Sequence, residues 1–178
     1  LQFTGISYET YEEGGYLIEF WLKPAVVALG VPLYLQLETI KKQLLPIIVS
    51  QLVGCLVGII SVVGVAKLLG ATQEVIVSLA AKSVTAMEVT QAVGGIPSLT
   101  AAVVVCVGIF GAIFGFKVLS IGHVKSPIAQ GLSMGTASHA VGTSAAMEVS
   151  GKYGAYAGLG LTLNGIFTAL FTPTILRM

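Results

Sequence analysis

Four runs of the chain, 16–37, 44–69, 96–119 and 155–176, are long and apolar enough to cross a bilayer as helices or nearly so. A hydrocarbon core of roughly 30 Å takes about 20 predominantly apolar residues at helical rise. Backbone amides cannot be left open in hydrocarbon, so each run reads as a helix, and no regular alternation of apolar and polar residues suggests a barrel. Charged residues make up only 10% of the chain and mean hydropathy is +0.93, against about 25% charged in soluble domains. The expected fold is all-α and polytopic.

The same composition excludes several functions. A formal net charge of +1 with no basic block gives nucleic acid nothing to hold. Cys55 and Cys106 sit inside apolar runs and do not read as a disulfide framework or a zinc site, and two histidines give no metal-ligand spacing. Neither metal nor cofactor is expected. Ser138 beside His139 is not a triad, and no G-x-S-x-G elbow frames Ser138, so an enzyme is not expected either. The chain opens at Leu1 with a polar, acidic stretch, which reads as a mature or truncated chain without a targeting peptide and without some N-terminal helices.

Two segments of membrane-like length, 73–95 and 126–151, break the apolar pattern. The first carries Lys82, Ser83, Thr85, Glu88 and Thr90 and closes with Gly94-Gly95 and Pro97. The second carries Thr136, Ser138, His139 and Thr143 among glycines, followed by Glu148. A Lys or Asp near the bilayer centre costs about 2.5 to 3.5 kcal/mol on the gentlest scale, so both segments must line protein or water. Internal similarity links them: Ala86-Met87-Glu88-Val89 recurs as Ala146-Met147-Glu148-Val149, and Gly108-Ile109-Phe110 as Gly165-Ile166-Phe167. Interrupted hydrophobic segments in matching positions of two halves point to a transporter's central site.

Charge placement suggests how they cross. Glu9, Glu12 and Glu13 suggest a start outside, and Lys41 and Lys42 an inner loop. If 73–95 dips in and returns, the loop carrying Lys117, His123 and Lys125 falls inside as well. The reading is therefore two broken or re-entrant segments of opposite orientation in an inverted repeat. Gly54 with Gly58, and Gly111 with Gly115, have the spacing of close helix contacts, and Asn164 should face protein. Pro24, Gly30 and Pro32 predict a kinked first helix near Glu19 and Lys23.

Broken helices expose amides that attract carboxylates. Lys82 supplies positive charge, and Ser83, Thr85, Thr136, Ser138 and Thr143 supply hydroxyls. His139 can change protonation near neutral pH, and Glu88 and Glu148 could carry coupling protons. The expected ligand is a small organic anion.

The run Gly135-Thr136-Ala137-Ser138-His139-Ala140-Val141-Gly142-Thr143 resembles the signature of the LrgB/CidB family of membrane proteins. Supporting it are Val26, Ala28 and Leu29 ahead of Pro32-Leu33-Tyr34, then Lys82-Ser83-Val84-Thr85, and Gly94-Gly95-Ile96-Pro97-Ser98-Leu99-Thr100, so that the likeness covers almost the whole chain from Gly5 onward as one domain. The resemblance implies a multi-pass bacterial plasma-membrane protein, an antiholin-like modulator of murein hydrolases and lysis that works with an LrgA/CidA-like holin-type partner. It also implies a relation to a plant branch in the plastid envelope that moves glycolate and glycerate. Where the family usually continues K-S-V-T with T-P-I-A, this chain runs from Thr85 into Ala86-Met87-Glu88. Full-length members carry a further N-terminal hydrophobic region, and Lys23 stands where an uncharged residue is commoner. The combined expectation is a transporter of small monocarboxylates such as glycolate, glycerate or pyruvate, surrounded by lipid and assembling with copies of itself. The alternative is a regulator of lysis that acts through its partner without transport.

Overall fold

The computed structural model describes residues 16, 20, 24, 27, 28, 30–80, 90 and 94–176. Seven helices run through the described residues: α1 (Gly30–Leu35), α2 (Leu37–Lys42), α3 (Leu44–Leu68), α4 (Gln73–Ala80), α5 (Pro97–Ile121), α6 (Pro127–Val149) and α7 (Gly151–Leu176). Among them, α3, α5 and the Gly151–Thr172 part of α7 are long and apolar enough to cross a membrane. A 25-residue helix such as α3 or α5 spans about 37 Å at 1.5 Å per residue, which exceeds the hydrocarbon core. Both are apolar all round. Ile47, Cys55 and Ile59 of α3 are buried, while Val49, Val53, Val57 and Ile60 on its other side are exposed and equally apolar. Outward faces of this kind suit lipid, not water. The chain is a multi-pass membrane protein.

Part of the apolar run 16–37 lies outside the described residues, Glu19 and Lys23 included. Its described end is two short helices, with the chain turning at Gln36 (φ −98°, ψ 2°). Pro32 lies inside a helical stretch, since Val27 and Ala28 ahead of α1 are helical too, and the described turn comes after it, at Gln36.

Contacts fix the directions of the long helices. Cys55 Sγ lies 3.3 Å from Thr168 Oγ1, and Cys55 and Ile59 share a cluster with Phe167 and Phe171, so α3 and α7 run parallel. The first half of α6 runs parallel to α7, with Gly131 against Tyr153 and Tyr156, Gly135 against Ala157, and Thr136 bonded to Asn164. Along α5 the order reverses: Gly108 and Gly111 meet Ser138, and Gly115 meets Met134. The ends at Leu44, Ile121 and Gly151 thus share one face of the bundle. That face carries Lys41, Lys42, Lys117, Lys125 and Lys152, and the opposite face carries Lys67 and Glu74.

The helix α6 is not straight. His139 has φ 54° and ψ −143°, non-helical angles within the element. A Cβ placed on Gly142 would stand 2.7 Å from the Met134 carbonyl oxygen. On a straight helix those residues are about 12 Å apart, so the limbs 127–138 and 140–149 fold back on each other as a hairpin with His139 at its tip. The tip meets α5 near its middle, at Gly108 and Gly111.

The described ends of the other polar segment meet on α5. The Ser78 carbonyl accepts from Thr100 Oγ1 at 3.0 Å, and Thr90 Oγ1 donates to Thr100 Oγ1 at 3.2 Å, so Ser78 and Thr90 meet on the same residue of α5. The Ile96 N–H donates to Ser78 Oγ at 2.7 Å, which in turn donates to Glu74 O at 2.6 Å. Gly94 takes the left-handed conformation (φ 79°), and Gly95 N–H closes back on Thr90 O at 2.8 Å. That combination ends a helical turn as a Schellman motif does. Every polar group named in this knot has a partner, as a low-dielectric interior requires.

The four glycines expected at helix contacts divide. Gly111 and Gly115 press on the hairpin, but a Cβ on Gly54 or Gly58 would meet nothing within 4 Å. Neither takes part in the close packing of α3, which Ile47, Cys55 and Ile59 make. The spacing marked a face and not its contact. Gly135→Ala, whose added methyl would overlap the Ala157 backbone, should destabilise the detergent-solubilised protein by about 1 to 3 kcal/mol. Gly54→Ala should leave its unfolding midpoint essentially unchanged, and thermal unfolding of the two variants side by side checks the packing.

Candidate functional site

The hairpin tip gathers Thr136, Ser138, His139 and Thr143, of which Ser138, His139 and Thr143 are buried. For a non-glycine residue the His139 backbone is in a sparsely populated region, which costs of order 1 to 3 kcal/mol and persists where surroundings impose it. The neighbours do so. Gly142 has no Cβ to strike Ser138 or Met134, and Gly111 leaves room for the Ser138 side chain. Substituting either would push the limbs apart.

A broken helix must satisfy the carbonyls of its last turn and the amides of its next first turn. On an unbroken helix the Thr136 carbonyl would accept from the Ala140 N–H. Here Asn164 Nδ2 donates to it at 3.2 Å from the middle of α7. Thr143 Oγ1 donates to His139 O at 2.9 Å, so this hydroxyl's proton is spent on holding the tip. Thr136 Oγ1 donates to Gln51 Oε1 at 2.5 Å, with the Leu132 carbonyl, 2.7 Å away, as the alternative acceptor for its single proton. On the far side of the break the amides from Ala140 onward open the second limb, the polarity that favours an anion. Helix end, hydroxyls and imidazole thus converge within the spanning helices.

Not every expected residue is here. Lys82, Ser83, Thr85 and Glu88 lie outside the described residues. Glu148 is exposed at the far end of the returning limb, beside the lysine-bearing face, and the fold does not bring it to His139. Gln51 was missed, although a single amide in an otherwise apolar 25-residue helix is itself a signal of an interior face. Gly131-Leu132-Ser133-Met134-Gly135 spells G-x-S-x-G, but it lies within one helical limb with both glycines pressed on α7, not on a strand-to-helix turn. A groove of about 420 Å³ between α5 and α6 reaches Ser138 from outside, yet Phe110, Phe114, Val118, Leu119 and Met134 make it apolar. It suits a lipid chain better than an anion.

The sequence profile of the LrgB-like family matches residues 1–178. The chain belongs to that family. Its relatives include a protein of Staphylococcus epidermidis named holin-like protein CidB, 36% identical over 177 residues that cover 98% of this chain and 77% of the relative. The protein of that name in Staphylococcus aureus is 35% identical over the same shares. YxaC of Bacillus subtilis is 36% identical over 173 residues, 96% of this chain and 75% of the relative. No solved structure matches the chain.

The cap on the broken helix is open to test. Asn164→Leu removes the donor to the Thr136 carbonyl and should cost about 1 to 3 kcal/mol. Asn164→Asp keeps the shape but sets an acceptor against an acceptor, and should cost at least as much. Unfolding midpoints in detergent equal to the parent's for both variants would remove this role.

Proposed function

We propose that the protein carries small monocarboxylates of the glycolate, glycerate and pyruvate class across the membrane, and that it binds them at the tip of the α6 hairpin. The observation that carries the reading is the break at His139, which sets helix-end amides, hydroxyls and an imidazole against the middle of a membrane-spanning helix. Spending backbone strain and buried polar groups at that depth has a use when an ion must shed its water there. Ser138 offers a hydroxyl, the first amides after His139 face the carboxylate, and His139 supplies a donor or a proton, while Thr136, its own proton given to Gln51 or Leu132, holds the wall beside them.

In this reading 73–95 and 126–151 are re-entrant segments that enter from opposite faces, each followed by a spanning helix, and together form an inverted repeat. Contacts support it: Ser78, Thr90 and Thr100 meet in the first unit, and Met134, Ala146 and Ala157 cluster in the second, at a nearly constant separation along the chain. The separation of the two pairs that flank it, Ser78 with Met134 and Thr90 with Ala146, carries Lys82 onto Ser138, beside His139. Lys82, Ser83 and Thr85 are accordingly proposed as the first unit's share of the site, with Glu88 as a candidate for proton coupling. The lysine-bearing face is the cytoplasmic one by the positive-inside rule. A bacterial plasma membrane is the proposed location. The name of the staphylococcal relatives, holin-like, favours a second reading, in which the protein controls lysis through a small holin-type membrane partner without moving a solute.

Uptake of labelled glycolate, glycerate and pyruvate into proteoliposomes separates them. Losing one hydrogen bond to a charged ligand costs about 1.5 to 3 kcal/mol, so Lys82→Ala and His139→Ala should each lower uptake about tenfold or more. His139→Gly relieves the backbone strain that His139→Ala keeps, and should nevertheless transport no better than His139→Ala. Parental uptake by Lys82→Ala and His139→Gly would remove the site. No uptake of any acid by the parent, with lysis control retained in cells, would favour the regulator.

A further inference from the structure

A second cavity lies on the other side of the hairpin, between α3 and the first limb of α6. It holds about 180 Å³ and is lined by Ser50, Gln51, Gly54, Ala129, Leu132, Ser133 and Thr136. The α6 residues stand at i, i+3, i+4 and i+7, one stripe along one face of the limb. That stripe begins at Ala129, in the first turn beside the lysine-bearing face, and ends at Thr136, one turn short of His139. On α3 the facing wall is Ser50, Gln51 and Gly54, and the bare Gly54 keeps it wide, since a Cβ there would touch nothing. Next to this wall α3 turns hydrocarbon outward at Val49, Val53 and Val57.

Polar side chains within a spanning bundle are retained where water or protein meets them. Ser50 Oγ satisfies itself on Ile47 O at 2.9 Å, and Gln51 is tied through one amide atom to Thr136. The other amide atom of Gln51 and the Ser133 hydroxyl remain for whatever fills the cavity. At about 30 Å³ per molecule the volume takes a handful of waters or one small hydroxylated acid.

We infer that this cavity is a hydrated half-channel, a path for water and small polar solutes from the lysine-bearing face to the hairpin tip, with Gln51 at its inner end. The inference deepens the transport reading and rests on it for the identity of the solute, though not for the presence of water. The groove on the α5 side, by contrast, reaches Ser133 and Ser138 only past a mostly apolar lining.

Cysteine accessibility tests the path. Of the native thiols, Cys55 is buried and Cys106 lies in the middle of apolar α5, so the parent chain in vesicles sets the background. Ser133→Cys and Gly54→Cys put a thiol in the cavity, and Val53→Cys puts one at almost the same depth on the outward face. A thiol in apolar surroundings is held protonated and unreactive, so an impermeant methanethiosulfonate reagent added at the lysine-bearing face should modify the two cavity thiols at least about tenfold faster than Val53→Cys. Added from the opposite face it should modify neither. The path is overturned if the cavity thiols react no faster than Val53→Cys while Lys125→Cys in the surface loop is labelled, or if they react only from the opposite face. Labelling needs water and no transport: cavity thiols that react in a chain that takes up no acid keep the half-channel and sink the transport reading. Uptake by a chain whose cavity thiols are silent does the reverse.

Discussion

In hydrocarbon a backbone carbonyl or amide without a partner has no water to turn to, and this single constraint organises the molecule. Where the chain crosses, as in α3 and α5, an uninterrupted helix satisfies every group along its length, and composition alone suffices. Where it breaks, each freed group needs a specific donor or acceptor from elsewhere. The break at His139 is tolerated because Asn164 reaches across from α7 to the Thr136 carbonyl and Thr143 turns back to the His139 carbonyl. The return of the chain to Ser78, Thr90 and Thr100 is tolerated through a similar closed set of bonds. Polar residues that looked like ligand groups in the sequence therefore divide into those that hold the backbone and those left to meet a solute. Thr143, Asn164 and Thr100 belong to the first group.

Glycines make the second requirement, close approach, affordable. Two half-length helices and their tip are packed on each other at Gly142 and against α5 and α7 at Gly108, Gly111, Gly131 and Gly135, where a methyl group would collide with a neighbour. The same residue on the open side of α3 does something else. At Gly54 it widens a polar cavity. One residue type thus builds a tight wall on one side of the hairpin and a gap on the other, and the difference lies wholly in which element happens to face it.

Comparing the two sides of the hairpin also explains why membrane depth alone does not locate a site. The larger groove is on the α5 side, but aromatic and aliphatic side chains line it. The smaller cavity, facing α3, carries an amide and hydroxyls, and its stripe along α6 ends at Thr136, one turn short of the tip. For an ion, the cost of losing water outweighs the benefit of a roomier apolar space.

The sequence by itself determined the solvent, the helical class, the spanning runs at 44–69, 96–119 and 155–176, and the suspicion that the two polar segments belong inside, because all of these follow from how many apolar residues occur in a row. It also carried the family, through the run from Gly135 to Thr143. Only the tertiary structure decided that α6 turns back at His139 and not elsewhere in its glycine-rich stretch, that Gln51 meets Thr136, and that Glu148 stands apart. Those outcomes depend on partners far away in the chain, the bare backbone of α5 and the amide of α7, and a periodic pattern of side chains encodes which face is polar without encoding what will lie against it.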